Sequence, residues 1–188
     1  MVHLFLYNDF AEFEISQLLL LFRNQPLITV GFSKGLVKSE GNLQVNADIS
    51  IDDLKIEEVE IFIIPGGEPK EFIRNNDYKN KITVLNAKLK KILSNGSIIG
   101  AICGGPTFLA NAGVLDGKKC TASIAEDERE FYKNALFNDT DLVIDNNIIT
   151  AKGQAFTEFA VNVARKSGLL KTEEEMIEAI NWFRNVKS

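Results

Sequence analysis

Few residues in this chain are of a type and spacing to do chemistry, and Cys103 leads them. It follows the apolar run Ser97-Ile98-Ile99-Gly100-Ala101-Ile102 and directly precedes Gly104-Gly105-Pro106. A short isoleucine-rich run reads as a strand buried on both faces. The stretch from Gly104 to Gly113 reads as a helix. A strand turning sharply into a helix at a nucleophile makes an elbow, where small neighbours are needed because any Cβ would clash. The N–H groups and positive end of the following helix favour thiolate, which predicts a thiol pKa below the ~8.5 of free cysteine. The alternative is a buried structural cysteine, since free cysteine packs as a small hydrophobe.

Other candidates lie on loops. Asn8 to Glu14 follows the apolar stretch Val2 to Tyr7, and Pro65-Gly66-Gly67 follows Ile61 to Ile64. Glu12 and Glu14 lie at a helix start, on different sides of the helix, and the local pattern alone reads Glu14 as a solvated helix residue. Gly66 and Gly67 are either backbone donors or a plain turn. Cys120 is either a packed strand residue or a redox partner for Cys103. His3 is the only histidine. That excludes a zinc site built on several histidines, and two cysteines with one distant histidine lack ligand spacing. No metal and no other cofactor is expected. Glu173-Glu174-Glu175 reads as helix N-terminal charge.

The elements that must position these residues alternate. Val2–Tyr7, Leu27–Phe32, Ile61–Ile64 and Ile98–Cys103 read as strands, and Lys118–Ala122 as a short one. Leu36–Ser39 with Leu43–Ala47 reads as a small hairpin at a sheet edge. Leu142–Ile144 with Ile148–Thr150 reads as a second hairpin. Helices are expected over Ala11–Arg23, Lys70–Arg74, Tyr78–Ser94, Ile124–Ala135, Phe156–Ser167 and Glu173–Val186, the last capped by Thr172. In Tyr78–Ser94 the apolar face is Ile82, Leu85, Leu89 and Leu93. Residues 51–59 read as a polar connection. Met176, Ile177, Trp182 and Phe183 read as the core face of the last helix. Such alternation predicts a mostly parallel sheet with helices on both faces, whose ligands bind outside the carboxyl ends of the strands.

The chain has 188 residues, 45% hydrophobic and 25% charged, the make-up of an ordinary globular protein and consistent with one domain over 1–188. Net charge is −5 with no basic cluster, which argues against nucleic acid as partner. The start MVHLFLYNDF has no positive n-region or cleavage site, and the longest apolar run, Leu18 to Phe22, is too short to span a bilayer. The expectation is a cytoplasmic protein with no membrane partner and two free thiols.

At this point the residues carry a resemblance. PGG (65–67), GAICGGPTFLA (100–110), ITAKG (149–153) and FTEFA (156–160) together resemble the ThiJ/PfpI superfamily. AIC-x-GPT-x-L-A resembles most the branch containing the Parkinsonism-associated protein 7. The resemblance implies a flavodoxin-like three-layer α/β sandwich and a homodimer, often with the first helix near the interface. It implies Cys103 as reactive nucleophile and Glu14 as the glutamate that hydrogen-bonds it. It implies the N–H groups of Gly67 and Gly104 as an oxyanion hole.

The departures narrow the chemistry. The peptidase-like branch has a histidine directly after the cysteine, where this chain has Gly104. The Parkinsonism-associated branch has one near the end of the next strand, where this chain has Ser123. A conventional Cys–His protease or amidotransferase is therefore not expected. Three readings stand. One is an enzyme acting on a small-molecule carbonyl substrate, glyoxalase-like or deglycase-like, through Cys103 and Glu14. The second is an oxidative-stress sensor with an oxidisable Cys103. The third is a binding scaffold or chaperone-like protein without turnover.

Overall fold

The computed structural model describes residues 1–186. Its centre is a seven-stranded sheet in the order β10-β11-β7-β6-β1-β2-β5. The strands are β1 (Val2–Leu6), β2 (Leu27–Gly31), β5 (Ile49–Ser50), β6 (Ile61–Ile64), β7 (Ile98–Ile102), β10 (Leu142–Asp145) and β11 (Ile148–Ala151). All neighbours pair in parallel except β10 with β11. Every residue of β1 and β6 is buried, as expected of VHLFL, apolar but for His3, and of the unbroken apolar run IFII in strands covered on both faces. α1 (Phe13–Leu21) packs on α5 (Phe156–Lys166), while α2 (Pro69–Ile73), α3 (Lys79–Ser94) and α4 (Pro106–Asn111) pack together. The result is an α/β sandwich with a mostly parallel sheet flanked by helices.

An aromatic cluster ties the elbow helix to the sheet. The rings of Phe5 and Tyr7 meet Phe108 of α4 edge-on, at centroid distances of 5.7 and 5.2 Å. Each such pair adds about 0.5–1.5 kcal/mol beyond area burial. The turn after β7 is thus held by side chains from the first strand.

Several elements differ from their sequence reading. Residues 124–135 fold as a 3-10 segment over Glu126–Tyr132. The Glu128 carboxylate accepts the Ala125 N–H at 2.8 Å, and Asp127 turns aside to pair with Arg74 at 2.7 Å. Side chains that bond nearby backbone compete with helical turns. The first hairpin, β3 (Gly35–Lys38) with β4 (Gln44–Ala47), is a separate two-stranded sheet. The edge of the main sheet is instead β5. The 51–59 connection is not simply polar, since Ile51, Leu54 and Val59 are buried. The strand expected over 118–122 shortens to β8 (Lys119–Cys120), paired with β9 (Leu136–Phe137). On α3 the fourth buried position is Ile92 rather than Leu93.

The largest correction concerns α6 (Glu173–Arg184). Thr172 caps it as expected, exchanging bonds with Glu175. Yet none of its residues is buried, and Trp182 is 69% exposed. Met176 and Phe183 are half-buried on the side that meets α5, whereas Ile177 and Trp182 stay exposed, because α5 already covers the sheet and α6 packs outside it. Among the described residues, no helix is long and apolar enough to cross a membrane.

Candidate active site

The site forms where β1, β6, β7 and β11 end together. Cys103 leaves β7 with φ +58°, the strained left-handed region that a non-glycine residue rarely adopts. Its N–H donates to the Ala151 carbonyl at 2.8 Å and its carbonyl accepts the Ser123 N–H at 2.9 Å. These bonds hold the side chain at the elbow, where it is partly exposed. Gly104 and Gly105 must be glycine on contact grounds. A Cβ on Gly104 would lie 2.3 Å from the Gly67 carbonyl oxygen, and one on Gly105 2.6 Å from that of Pro65.

Glu14 comes from the first turn of α1 and is 2% exposed. Its Oε2 accepts the Gly66 N–H at 2.9 Å, and its carboxyl hydrogen-bonds Cys103. Gly66 admits no side chain, because a Cβ would sit 2.1 Å from that Oε2 and 2.7 Å from the Cys103 Cβ. Glu12, the rival carboxylate, is directed elsewhere and accepts the Gly41 N–H at 3.3 Å.

The sulfur has two further partners. The Gly104 N–H and the Ser123 hydroxyl both hydrogen-bond it, and both favour its anion. Ser123 also accepts the Gly153 N–H at 3.0 Å. Gly153 closes the opposite wall, where a Cβ would lie 2.7 Å from Glu14 Oε1 and 3.2 Å from Cys103 Sγ. Gly67 is adjacent, with φ +130° and its carbonyl against Gly104.

Electrostatics corrects the expectation of a simply acidified thiol. Burial, then the Glu14 charge, pushes the Cys103 thiol up to about 12, against the Gly104 and Ser123 donors. Burial likewise raises the Glu14 carboxyl, against bonds from Cys103 and Gly66. The helix effect is weak because α4 has only six residues and starts at Pro106, three positions beyond the sulfur. Two groups coupled this closely titrate as a pair. The first proton leaves above the ordinary carboxylate range and the second far into the alkaline range. Between those steps the sulfur and the carboxylate share one proton.

Two contributions lie outside the sequence reading. Tyr7 is fully buried, and its hydroxyl donates to the Pro65 and Gly66 carbonyls at 2.9 and 2.7 Å. It thereby orients the Gly66 N–H toward Glu14. Gly153 lay within a recognised stretch, but nothing local marks it as a wall of the site. His3 is buried on β1 beside Ile28 and Phe62, and burial lowers its pKa. Cys120 is fully buried and free.

The sequence pattern of the DJ-1/PfpI family matches residues 1–166. The chain belongs to the DJ-1/PfpI family. It is similar to "Deglycase TK1284" of Thermococcus kodakarensis, 29% identical over 121 residues, which cover 64% of this chain and 69% of that protein. It is similar to "Protein dj-1beta" of Drosophila melanogaster, 27% identical over 140 residues, covering 73% and 72%. The crystal structure of a thiJ/pfpI family protein from Bacillus anthracis matches with a TM-score of 0.82 at 25% identity, over 99% of this chain and 91% of that one.

Proposed function

We propose that this member of the DJ-1/PfpI family is an enzyme acting on small reactive carbonyl compounds, with Cys103 as nucleophile and Glu14 as its acid and base. One observation carries the reading: a buried carboxyl set against the sulfur at the elbow, with burial raising both groups. A base within hydrogen-bond reach of a nucleophile activates it without any histidine.

In a glyoxalase-like turnover the Cys103 sulfur adds to the aldehyde carbon of methylglyoxal. The thiol proton passes to Glu14 and on to the new oxygen, giving a hemithioacetal. Glu14 then takes the hydrogen of that carbon as a proton and returns it to the neighbouring ketone carbon, while the hydroxyl proton of the hemithioacetal moves to the ketone oxygen. The aldehyde carbon is oxidised to a thioester while the ketone carbon is reduced to an alcohol. Water cleaves the thioester to lactate and restores the thiol, so no external oxidant or reductant is needed. The Gly104 and Gly67 N–H groups are the proposed donors to the developing oxyanion. A deglycase-like release of carbonyl adducts uses the same nucleophile and proton carrier, and the family relationship to a protein named as a deglycase supports it.

The reading includes a homodimer. Phe13 and Leu20 on α1 and Trp182 on α6 are exposed apolar groups suited to a partner surface. The test of activity is methylglyoxal given to the wild type and to Cys103→Ala, with lactate as the readout. Lactate from the wild type alone is expected. A reactive Cys103 with no turnover of any small carbonyl would move the protein to the oxidative-stress sensor reading.

A further inference from the structure

A cleft of about 620 Å³ adjoins the site and shares Ser123 with it. Its wall carries Arg129, Lys152, Asp139 and Phe137. Two cations against one carboxylate is an unusual balance for a chain of net charge −5. Lys152 is fixed in place, since its neighbour Gly153 bonds Ser123 and its ammonium pairs with Asp139 at 2.5 Å. Arg129 helps hold the Asp139 carboxyl acidic but is outside pairing distance of it.

The segment bearing Arg129 explains why that residue is left over. Asp127, Glu128 and Glu130 of the 126–132 segment are engaged by Lys70 and Arg74 of the α2 region, at 2.7–3.9 Å. The segment's one cation lines the cleft instead. A charged nucleophile–carboxyl pair would otherwise repel an anionic substrate at close range. The cationic wall, in the cleft that meets the site at Ser123, offsets that repulsion.

We infer that Arg129 and Lys152 select carbonyl compounds carrying a second, anionic group, a carboxylate or a phosphate, which sits in this cleft while the carbonyl meets Cys103. The reacting end rests on the carbonyl reading above; the cationic wall does not.

The experiment compares iodoacetate, an anion, with its neutral analogue iodoacetamide as alkylators of Cys103. Their rate ratio is measured against the same ratio for glutathione. A ratio about threefold to tenfold above that of glutathione is expected, the size of one or two partly exposed charge contacts. Arg129→Gln and Lys152→Gln should each lower it, the double variant should return it to the glutathione value, and added salt should erode it. Acetate and inorganic phosphate serve as competing anions, and stronger protection by one assigns the tail. A wild-type ratio equal to that of glutathione, or a ratio unmoved in the double variant, overturns the inference. Alkylation consumes no carbonyl substrate. A failed ratio therefore leaves the proposed enzyme standing, and failed methylglyoxal turnover leaves the wall standing.

Discussion

At the scale of residues the proposal turns on Cys103 and Glu14 titrating as one unit. Neither could be assigned its state alone. Cys103 was legible because its apolar strand, glycines and proline form a contiguous pattern. Glu14 was legible only through the family resemblance, since nothing near residue 14 says that it ends 2% exposed beside a sulfur 89 positions later. Ser123 was visible only as the replacement of a histidine. Its hydroxyl bonds the sulfur and accepts the Gly153 N–H, so it stabilises the thiolate while tying β11's end to the elbow. Ser123→Ala should slow Cys103 alkylation at neutral pH about three- to tenfold, the worth of one hydrogen bond to a charged group. Iodoacetamide kinetics check it, with an unaltered near-UV spectrum showing that the fold is kept. An unchanged rate would remove Ser123 from the site.

The elements that aim the pair are β1, the turn after β6 and the elbow after β7. Tyr7 joins all three, because its ring packs on Phe108 of α4 and its hydroxyl holds both Pro65 and Gly66 carbonyls. Tyr7→Phe keeps the ring and strips two buried carbonyls of their donor. The expected cost is about 1–3 kcal/mol of stability, read by urea denaturation, together with slower Cys103 chemistry as the Gly66 N–H loses its aim. Full stability with full reactivity would contradict a positioning role. Strand and helix periods were legible wherever one face had to be buried, as in β6, β7 and α3. They misled at residues 124–135, where side-chain bonds from Asp127 and Glu128 overrule the helical pattern. They also misled at α6, which lies outside α5 and so half-buries Met176 and Phe183 but leaves Ile177 and Trp182 exposed.

On the scale of the whole molecule, the parallel sheet gathers the carboxyl ends of four strands into one site, as its topology dictates. The alternation of strands and helices was enough to foresee that edge. It could not foresee that Arg129 would line the cleft, because that depends on Lys70 and Arg74 of the α2 region engaging the carboxylates of the 126–132 segment. In the proposed homodimer the exposed apolar residues of α1 and α6 meet the partner. Sedimentation at micromolar concentration should give about twice the 20.9 kDa chain mass. A species of 20.9 kDa alone would rule out the dimer.

The shared proton is the central claim, and the pH profile of Cys103 alkylation tests it most directly in wild type, Glu14→Gln and Glu14→Leu. Below the pair's first step both groups hold protons, so there is neither thiolate nor base. Above it one proton is gone and the site reacts. Burial raises the Glu14 carboxyl, so the wild-type onset should fall above the ordinary carboxylate value of 4.5. Without Glu14 only the thiol can lose the proton. Both variants should therefore move the onset upward by about one unit or more, and methylglyoxal turnover should drop about 100-fold or more. Three profiles with one common midpoint near that of a free thiol would contradict the account.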